Sequence, residues 1–585
     1  MRRRQVLLWS VAAMLSGCSY WSGLSGNAKP PKDADPTTES HVRLVGDVAD
    51  SAGVYPVKIE AVGLVSGLNG TGSDPEPSNY RSMLLTDMQR RGVPNPNAVL
   101  ASRNTALVLV RGILRPGIQK GDPFDVEVRI PGRSETISLR GGYLLETRLT
   151  DMAVLDDGRL HDGRPRGLAK GPVLVDPSAS DKNNKVLLGR GRVLRGGVAL
   201  ESRSLGLILK SGHQSVRTSA QVAESVNRRF HLFQRGLQVG VAKAKTHEYV
   251  ELIIHPRYKE NIERYMHVLR AVAIQESASE TSQRIAELAK KLREPSTAAS
   301  AAVQLEAIGT PGIDALLTGI AQQNPEVRFY AAEALAYLDR REAAEPLADA
   351  ARHEPAFRVF ALTALSIMSD FAAYEQLRDL LAVPSAETRY GAFRAMCALN
   401  PDDALVKGEN LGGFSYHVLD TPGAAMVHVT RNRRAEIVLF GQQQRLLTPL
   451  AVNAGPIMVT STGPEEISVS KFTTGEPDQK RAVSTKVDDV IRAIVELGGA
   501  YPDVVQALQE AKAAGALEAR FEVEALPEAG RTYDRTAHHE GDGDSSIGLT
   551  EGEKSTASGG ESKDDAAADK PAQPAKGFFA RMFGE

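Results

Sequence analysis

Three stretches decide how this chain is built: "PEVRFYAAEAL" from residue 325, "PAFRVFALTAL" from 355 and "AETRYGAFRAM" from 386. Superposed, they keep an arginine at the fourth position (Arg328, Arg358, Arg389) and a large apolar residue at the eleventh. Leu305, Leu335, Leu365 and Met396 are spaced by 30, 30 and 31 residues, and Leu317, Leu347 and Leu377 keep the same step. Within one unit, Val327, Ala331, Leu335 and Leu338 fall on one helical face. The spacing predicts two short helices per unit, joined around residues 339–343, with Pro325, Pro355 and Pro384 in linkers where a missing N–H does least harm. Four units over about 284–404 would stack into a short solenoid.

The repeat resembles the short, roughly 30-residue variety of HEAT repeats, which implies an all-α solenoid offering a surface to another protein. The recurring arginines have two readings, a ligand-binding ladder or bridges between neighbouring repeats, and the second is favoured.

Outward from the repeats the texture changes. At 585 residues the chain exceeds one core. Its 42% hydrophobic and 24% charged residues are ordinary for a globular protein. A net charge of -2 gives no global field for nucleic acid, and 5% aromatics argue against an extended stacking platform. Residues 124–130 alternate as a half-buried strand, 106–110 form a continuous apolar run, and 518–525 alternate again. Helices are predicted over 78–91, 218–234, 259–274, 487–497 and 501–513, so the fold class is α+β. Gly67, Gly70 and Gly72 around Asn69 suit turns with positive φ, and Gly141-Gly142 suits a tight turn with close backbone approach. No G-x-x-x-x-G-K-[ST] is present, so the Gly-rich turn is not a phosphate loop.

These flanks carry phrases in a telling order. "VKIEAVGLVSGLNGTGSD" (57–74), "MLLTDMQRRGV" (83–93), "SRNTALVLVRGILRPGIQKGDPFDVEV" (102–128), "SLRGGYLLETRL" (138–149), "LAKGPVLV" (168–175), "GRGRVLRGGVALE" (189–201) and "TSAQVAESVNRRF" (218–230) precede the repeats. "LLTPLAVNAGPIMVT" (446–460) and "YPDVVQALQEAKAAGALEARFEVEAL" (501–526) follow them. Together they resemble the bacterial flagellar P-ring protein family, over roughly 350 residues. The resemblance implies a split P-ring-type α+β region, 42–275 and 407–527, interrupted by a solenoid at 276–406. It implies a structural subunit of a homo-oligomeric periplasmic ring, a bushing around the flagellar rod that docks to the L ring and associates with peptidoglycan and the outer membrane. Arg140 is read either as an intersubunit partner or as a solvated residue. An alternative is a non-flagellar envelope adaptor that uses its solenoid to bind proteins.

The first 18 residues read as an address. Arg2, Arg3 and Arg4 precede an apolar stretch from Val6 to Leu15, the pattern of a secretory signal, and Leu15-Ser16-Gly17-Cys18 looks like a bacterial lipobox. Cys18 is the expected lipid-attachment site, with Ser19 after it implying the outer membrane. Residues 19–41 read as a flexible tether. Beyond the first twenty residues no apolar run reaches the ~18–20 residues of a spanning helix. Cys397 is the only other cysteine, so no intramolecular disulfide is expected, and its Ala-rich setting points to a small core residue.

The tail, 528–585, is rich in Gly, Ser, Ala and acidic residues and is expected to be disordered. Asp542, Asp544, Ser546 and Glu553 sit at calcium-loop offsets, but Ile547 stands where Gly is needed. His538-His539 reads as solvated, and Phe578, Phe579, Met582 and Phe583 share a helical face as a short docking motif or a frayed end. Elsewhere there is no H-E-x-x-H, G-x-S-x-G or C-x-x-C. Glu465-Glu466 and Asp488-Asp489 are adjacent pairs that diverge in regular structure. No catalytic residue, metal site or cofactor is expected.

Overall fold

The computed structural model describes residues 42–154, 160–175, 185–432, 434–472 and 477–535. Cys18, the tether and the tail motifs from His538 onward lie outside them. Residues 40–529 belong to one compact unit.

The first part of the chain closes a barrel. Strands Val57–Ser66, Thr105–Leu114, Pro123–Arg129, Tyr143–Val154, Leu160–Pro172 and Arg190–Ala199 pair antiparallel around a circle. The pairing of Pro123–Arg129 with Arg190–Ala199 shuts it. The strict alternation of 124–130 supplies Phe124, Val126 and Val128 to the interior. Phe124 acts as a plug, and glycines make room for it. A Cβ at Gly112, Gly167 or Gly197 would come within 2.4–2.8 Å of its ring. The Gly141-Gly142 turn has the expected geometry: Gly141 has φ +70, and a Cβ on Gly142 would stand 2.5 Å from Val65. Helices Asn79–Arg90 and Pro96–Leu100 cover part of the outer wall, burying Leu84, Met88 and Leu100 with Leu64 and Leu107.

Beside the barrel, strands Ala49–Ala52, Leu205–Leu209, Tyr249–Leu252 and Ala242–Ala244 form an antiparallel sheet in that order. Helix Val216–Arg229 packs on two of its strands and Ile262–Arg270 on a third. The helix expected over 218–234 is shorter than its sequence suggests. It ends at Arg229, because Phe230 is extended and buried, and His231–Gln234 pairs with Leu237–Gly240 as a hairpin. Arg235 and Gly236 both have positive φ, the two-residue turn such hairpins favour. The helix expected over 259–274 starts later too, at Ile262, where Asn261 caps it by accepting from Arg264 N at 2.9 Å.

The solenoid has two layers. One holds helices Ala278–Leu292, Ile313–Ile320, Ala344–His353 and Phe371–Leu380; the other holds Pro295–Ile308, Pro325–Tyr337, Arg358–Leu365 and Ala386–Leu399. Each helix of one layer packs on the next helix in sequence, making four helical hairpins. Leu316 rather than Leu317 joins Leu347 and Leu377 in the core, since Leu317 is only half-buried. The second layer is mostly enclosed, with Ser296, Thr297 and Ser300 of its first helix left exposed. In Pro325–Tyr337 every residue from Phe329 to Tyr337 is buried, as expected of a helix without a polar face.

After the solenoid, strands Glu409–Leu411, Phe414–Leu419, Glu436–Phe440, Met426–Val429 and Arg520–Val523 form a mixed sheet in that order. Ala451–Ala454, Ile457–Ser461, Glu466–Lys471 and Gln479–Ser484 form an antiparallel meander. Helices Val487–Glu496 and Tyr501–Ala513 share one core with both sheets, and Gly515 at φ +74 makes the left-handed turn after the second helix. Leu174 from the barrel region enters this core and Leu194 packs against it. Among the described residues no strand of the first flank pairs with a strand of the second.

Candidate functional site

The charged groups most deeply withdrawn from water lie where the solenoid meets its flanks. Two helices of its enclosed layer, Pro295–Ile308 and Pro325–Tyr337, are Ala-rich yet carry Glu306 and Glu333, both buried. A buried carboxylate needs a partner, and Arg264 on helix Ile262–Arg270 supplies it. Its Nη1 lies 2.6 Å from Glu333, and its Nε donates to Glu306 at 3.0 Å. Tyr258 donates to the other Glu306 oxygen at 2.6 Å and stacks on Tyr337 at 4.7 Å. Asn261 Nδ2 donates to Tyr337 at 3.0 Å. Burial alone would lower the Arg264 pKa, but Glu306 and Glu333 outweigh it and hold it raised. Burial pushes Glu333 up, only partly countered by Arg264.

The other end reverses the roles. Arg394 and Tyr390, on the last solenoid helix, reach into the following sheet, where Glu436 is fully buried. Arg394 Nη1 donates to Glu436 at 2.8 Å and Tyr390 at 2.7 Å, while Nε2 of His417 stands 3.6 Å away. Burial would raise Glu436, yet Arg394, His417 and Arg434 together leave it lowered. His428 stacks on Tyr390 with ring centres 3.5 Å apart and accepts from Ala525 N; burial pushes its pKa down to about 3.

The recurring arginines belong to this framework. Arg358 Nε donates to Ala351 O at 3.0 Å and its Nη1 to Glu387 of the next unit at 2.8 Å. Arg389 Nε donates to Leu381 O and its Nη1 to Ala424 O, beyond the solenoid. Arg328 lies 3.8 Å from Asp349. Arg328 and Arg358 reach the next unit, the favoured reading, while Arg389 ties the last unit to the segment after the solenoid; the three do not form a ladder open to a ligand. Arg140 is half-buried.

A cleft of about 970 Å³ opens where residues 255–260, the solenoid and the 408–434 region converge. Its lining includes His255, Cys397 and His417. Burial pushes the Cys397 thiol up to about 12 and His255 down to about 4, and also lowers His417. Cys397 is therefore held as a thiol and His255 as a neutral imidazole near pH 7. Among the described residues no group of His, Cys, Asp or Glu could hold a metal ion, and no helix is long and apolar enough to cross a membrane.

Motif reading could not find Arg264, Glu306, Glu333, Arg394 or Glu436 as clusters, because partners lie 42 residues or more apart. One signal was present: isolated charges at otherwise apolar positions of Ala-rich helices.

Comparison with known proteins now gives this geometry a context. A sequence model of the family described as Flagellar P-ring protein matches residues 44–285, and one described as HEAT repeats matches 313–397. The Flagellar P-ring protein of Thermotoga maritima is 27% identical over 243 residues, 40% of this chain and 66% of that protein. That of Methylobacillus flagellatus is 30% identical over 200 residues, 32% of this chain and 51% of the relative. That of Chromohalobacter salexigens is 32% identical over 199 residues, with 32% and 51% covered. The chain therefore spans between half and just under two thirds of the length of these relatives. The P-ring match lies on the barrel, its companion sheet and the start of the solenoid; the phrases at 446–460 and 501–526 lie beyond it.

Proposed function

We propose that this chain, P-ring-like over residues 44–285, is a structural subunit of the flagellar basal-body P ring. Many copies would surround the rod in the periplasm as a bushing, meeting the L ring, peptidoglycan and outer membrane. A lipid on Cys18 would hold it to the outer membrane; several acyl chains anchor a protein without a spanning helix. The 407–527 region would complete the ring-forming body, and the HEAT-like segment would add a protein-binding surface. The observation that carries this reading is the family match lying on a closed barrel and its companion sheet, a rigid body suited to head-to-tail packing around a circle. A bushing turns on contact surfaces and needs no catalytic group.

Electron microscopy of basal bodies from cells with and without the protein tests it. Deletion should remove one periplasmic ring and stop motility; an unchanged set of rings rejects the reading. Cys18→Ser should release the protein from the membrane fraction.

A second reading is a non-flagellar envelope adaptor that binds proteins through its solenoid. It is favoured by the extent of 286–527, which lies outside the P-ring match. Intact motility on deletion, with other envelope proteins co-purifying, would select it.

A further inference from the structure

Near-neutral overall, the chain segregates its charge. Residues 42–275 contain 34 Lys and Arg against 23 Asp and Glu, whereas 276–406 contain 12 against 19. Part of that opposition is satisfied within the molecule, where Arg264 and Arg257 of the first flank meet Glu306, Glu333 and Asp339 of the solenoid. Of the rest, several charges are paired or buried inside each body, as in Arg284–Glu276 and Arg358–Glu387, and others are exposed.

On the solenoid the second layer is mostly buried, and the other layer presents the broader surface. There Asp314, Glu345 and Glu375 occupy one position of successive units, each two residues before a fully buried leucine, Leu316, Leu347 or Leu377. All three are exposed and have no basic partner among the described residues. They recur once per unit along this layer. Phe371, 65% exposed, stands one helical turn before Glu375 and supplies an apolar contact at the row's end.

On the barrel, one cross-strand row is internally matched. Arg111 pairs with Glu60 at 2.6 Å and Arg192 with Glu127 at 2.9 Å. The next row on the same face is not: Arg129 lies directly opposite Arg190 across the closing pair, with Arg133 just beyond. All three are exposed and lack a carboxylate partner among the described residues. Like charges directly opposite destabilise a sheet, an arrangement that an incoming row of carboxylates would relieve.

We propose that successive copies of this chain join by docking the Asp314–Glu345–Glu375 row of one copy's solenoid on the Arg129–Arg133–Arg190 patch of the next copy's barrel. This rests on the ring reading above and names one of its contacts. The two surfaces differ and lie on separate bodies, so the contact is head-to-tail, the kind that can propagate around a ring.

The test follows self-association of the full chain by analytical ultracentrifugation across salt concentrations. The wild type should associate most strongly at low salt. Arg129→Glu with Arg190→Glu, and separately Glu345→Arg with Glu375→Arg, should each weaken association roughly tenfold or more, and combining the two sets should restore much of it. Circular dichroism checks that each variant folds, as exposed substitutions should allow. If both variants associate as the wild type does, the inference is overturned and the ring reading stands. If the wild type stays monomeric at every salt and concentration, the ring reading fails and takes this contact with it. If the arginine variants lose binding only to phosphatidylglycerol vesicles and keep self-association, the patch serves a lipid surface and the proposal is wrong.

Discussion

The two ends of the solenoid solve the same problem with opposite polarity. At the first junction one arginine from the flank, Arg264, faces two solenoid carboxylates, Glu306 and Glu333. At the second one flank carboxylate, Glu436, faces Arg394 from the solenoid, with Arg434 and His417 beside it. The surplus is negative at one end and positive at the other. The pKa directions follow: Glu333 is raised and Glu436 lowered, although both are buried. Burial alone does not set the charge state of a carboxylate; the count of cations around it does.

That comparison can be broken experimentally. The largest effect is expected from Arg264→Met, which strands two buried carboxylates. Chemical denaturation should show a loss of about 3–5 kcal/mol, and a loss under about 1 kcal/mol would mean that the first junction carries little of the fold. Glu436→Gln keeps an acceptor for Tyr390 but leaves Arg394 without its counter-charge. A loss of about 2–3 kcal/mol is expected, smaller than for Arg264→Met.

Acid should act next. His428 is pushed down to about 3 in the fold, well below its ordinary value, so the unfolded chain binds the proton more readily. Its contribution is complete above about pH 6.5 and is lost as pH falls toward 3. Between pH 7 and 5 the stability attributable to this residue should drop by about 2 kcal/mol. His428→Asn should flatten that part of the curve in a denaturation series. The smallest effect is expected from Glu333→Gln, which removes the surplus carboxylate and leaves the Arg264–Glu306 pair intact. Its cost should be below about 1 kcal/mol at neutral pH. A larger loss would show that both carboxylates are needed to hold Arg264.

How much could be read in advance divides along the same line between local and distant information. The 30-residue step placed the helical hairpins, since the leucines that set it are local to each unit. Alternation placed the strand that plugs the barrel with Phe124, and the helix expected over 501–513 forms over those residues. The barrel's closure was not legible, because Pro123–Arg129 finds Arg190–Ala199 only across the intervening strands Tyr143–Val154 and Leu160–Pro172. The end of the helix at Arg229 is not legible because no Gly or Pro stands between it and Gly236; the positive φ of Arg235 is a demand of the hairpin, which helical periodicity does not encode. The junction clusters were missed for the same reason. Tyr258, Arg264 and Glu306 read as unremarkable residues until the fold brings them together.

The enclosure of the solenoid at both ends has a mechanical corollary. A free stack of repeats unravels from its termini, and a unit can be inserted or deleted with modest effect because each touches only its neighbours. Here the terminal units are fastened to folded bodies, so fraying has nowhere to begin. Removing 30 residues would carry one fastening a whole step along the stack and out of reach of its counterpart. The stack behaves as a strut of fixed length rather than a spring, and its number of units is a dimension of the molecule.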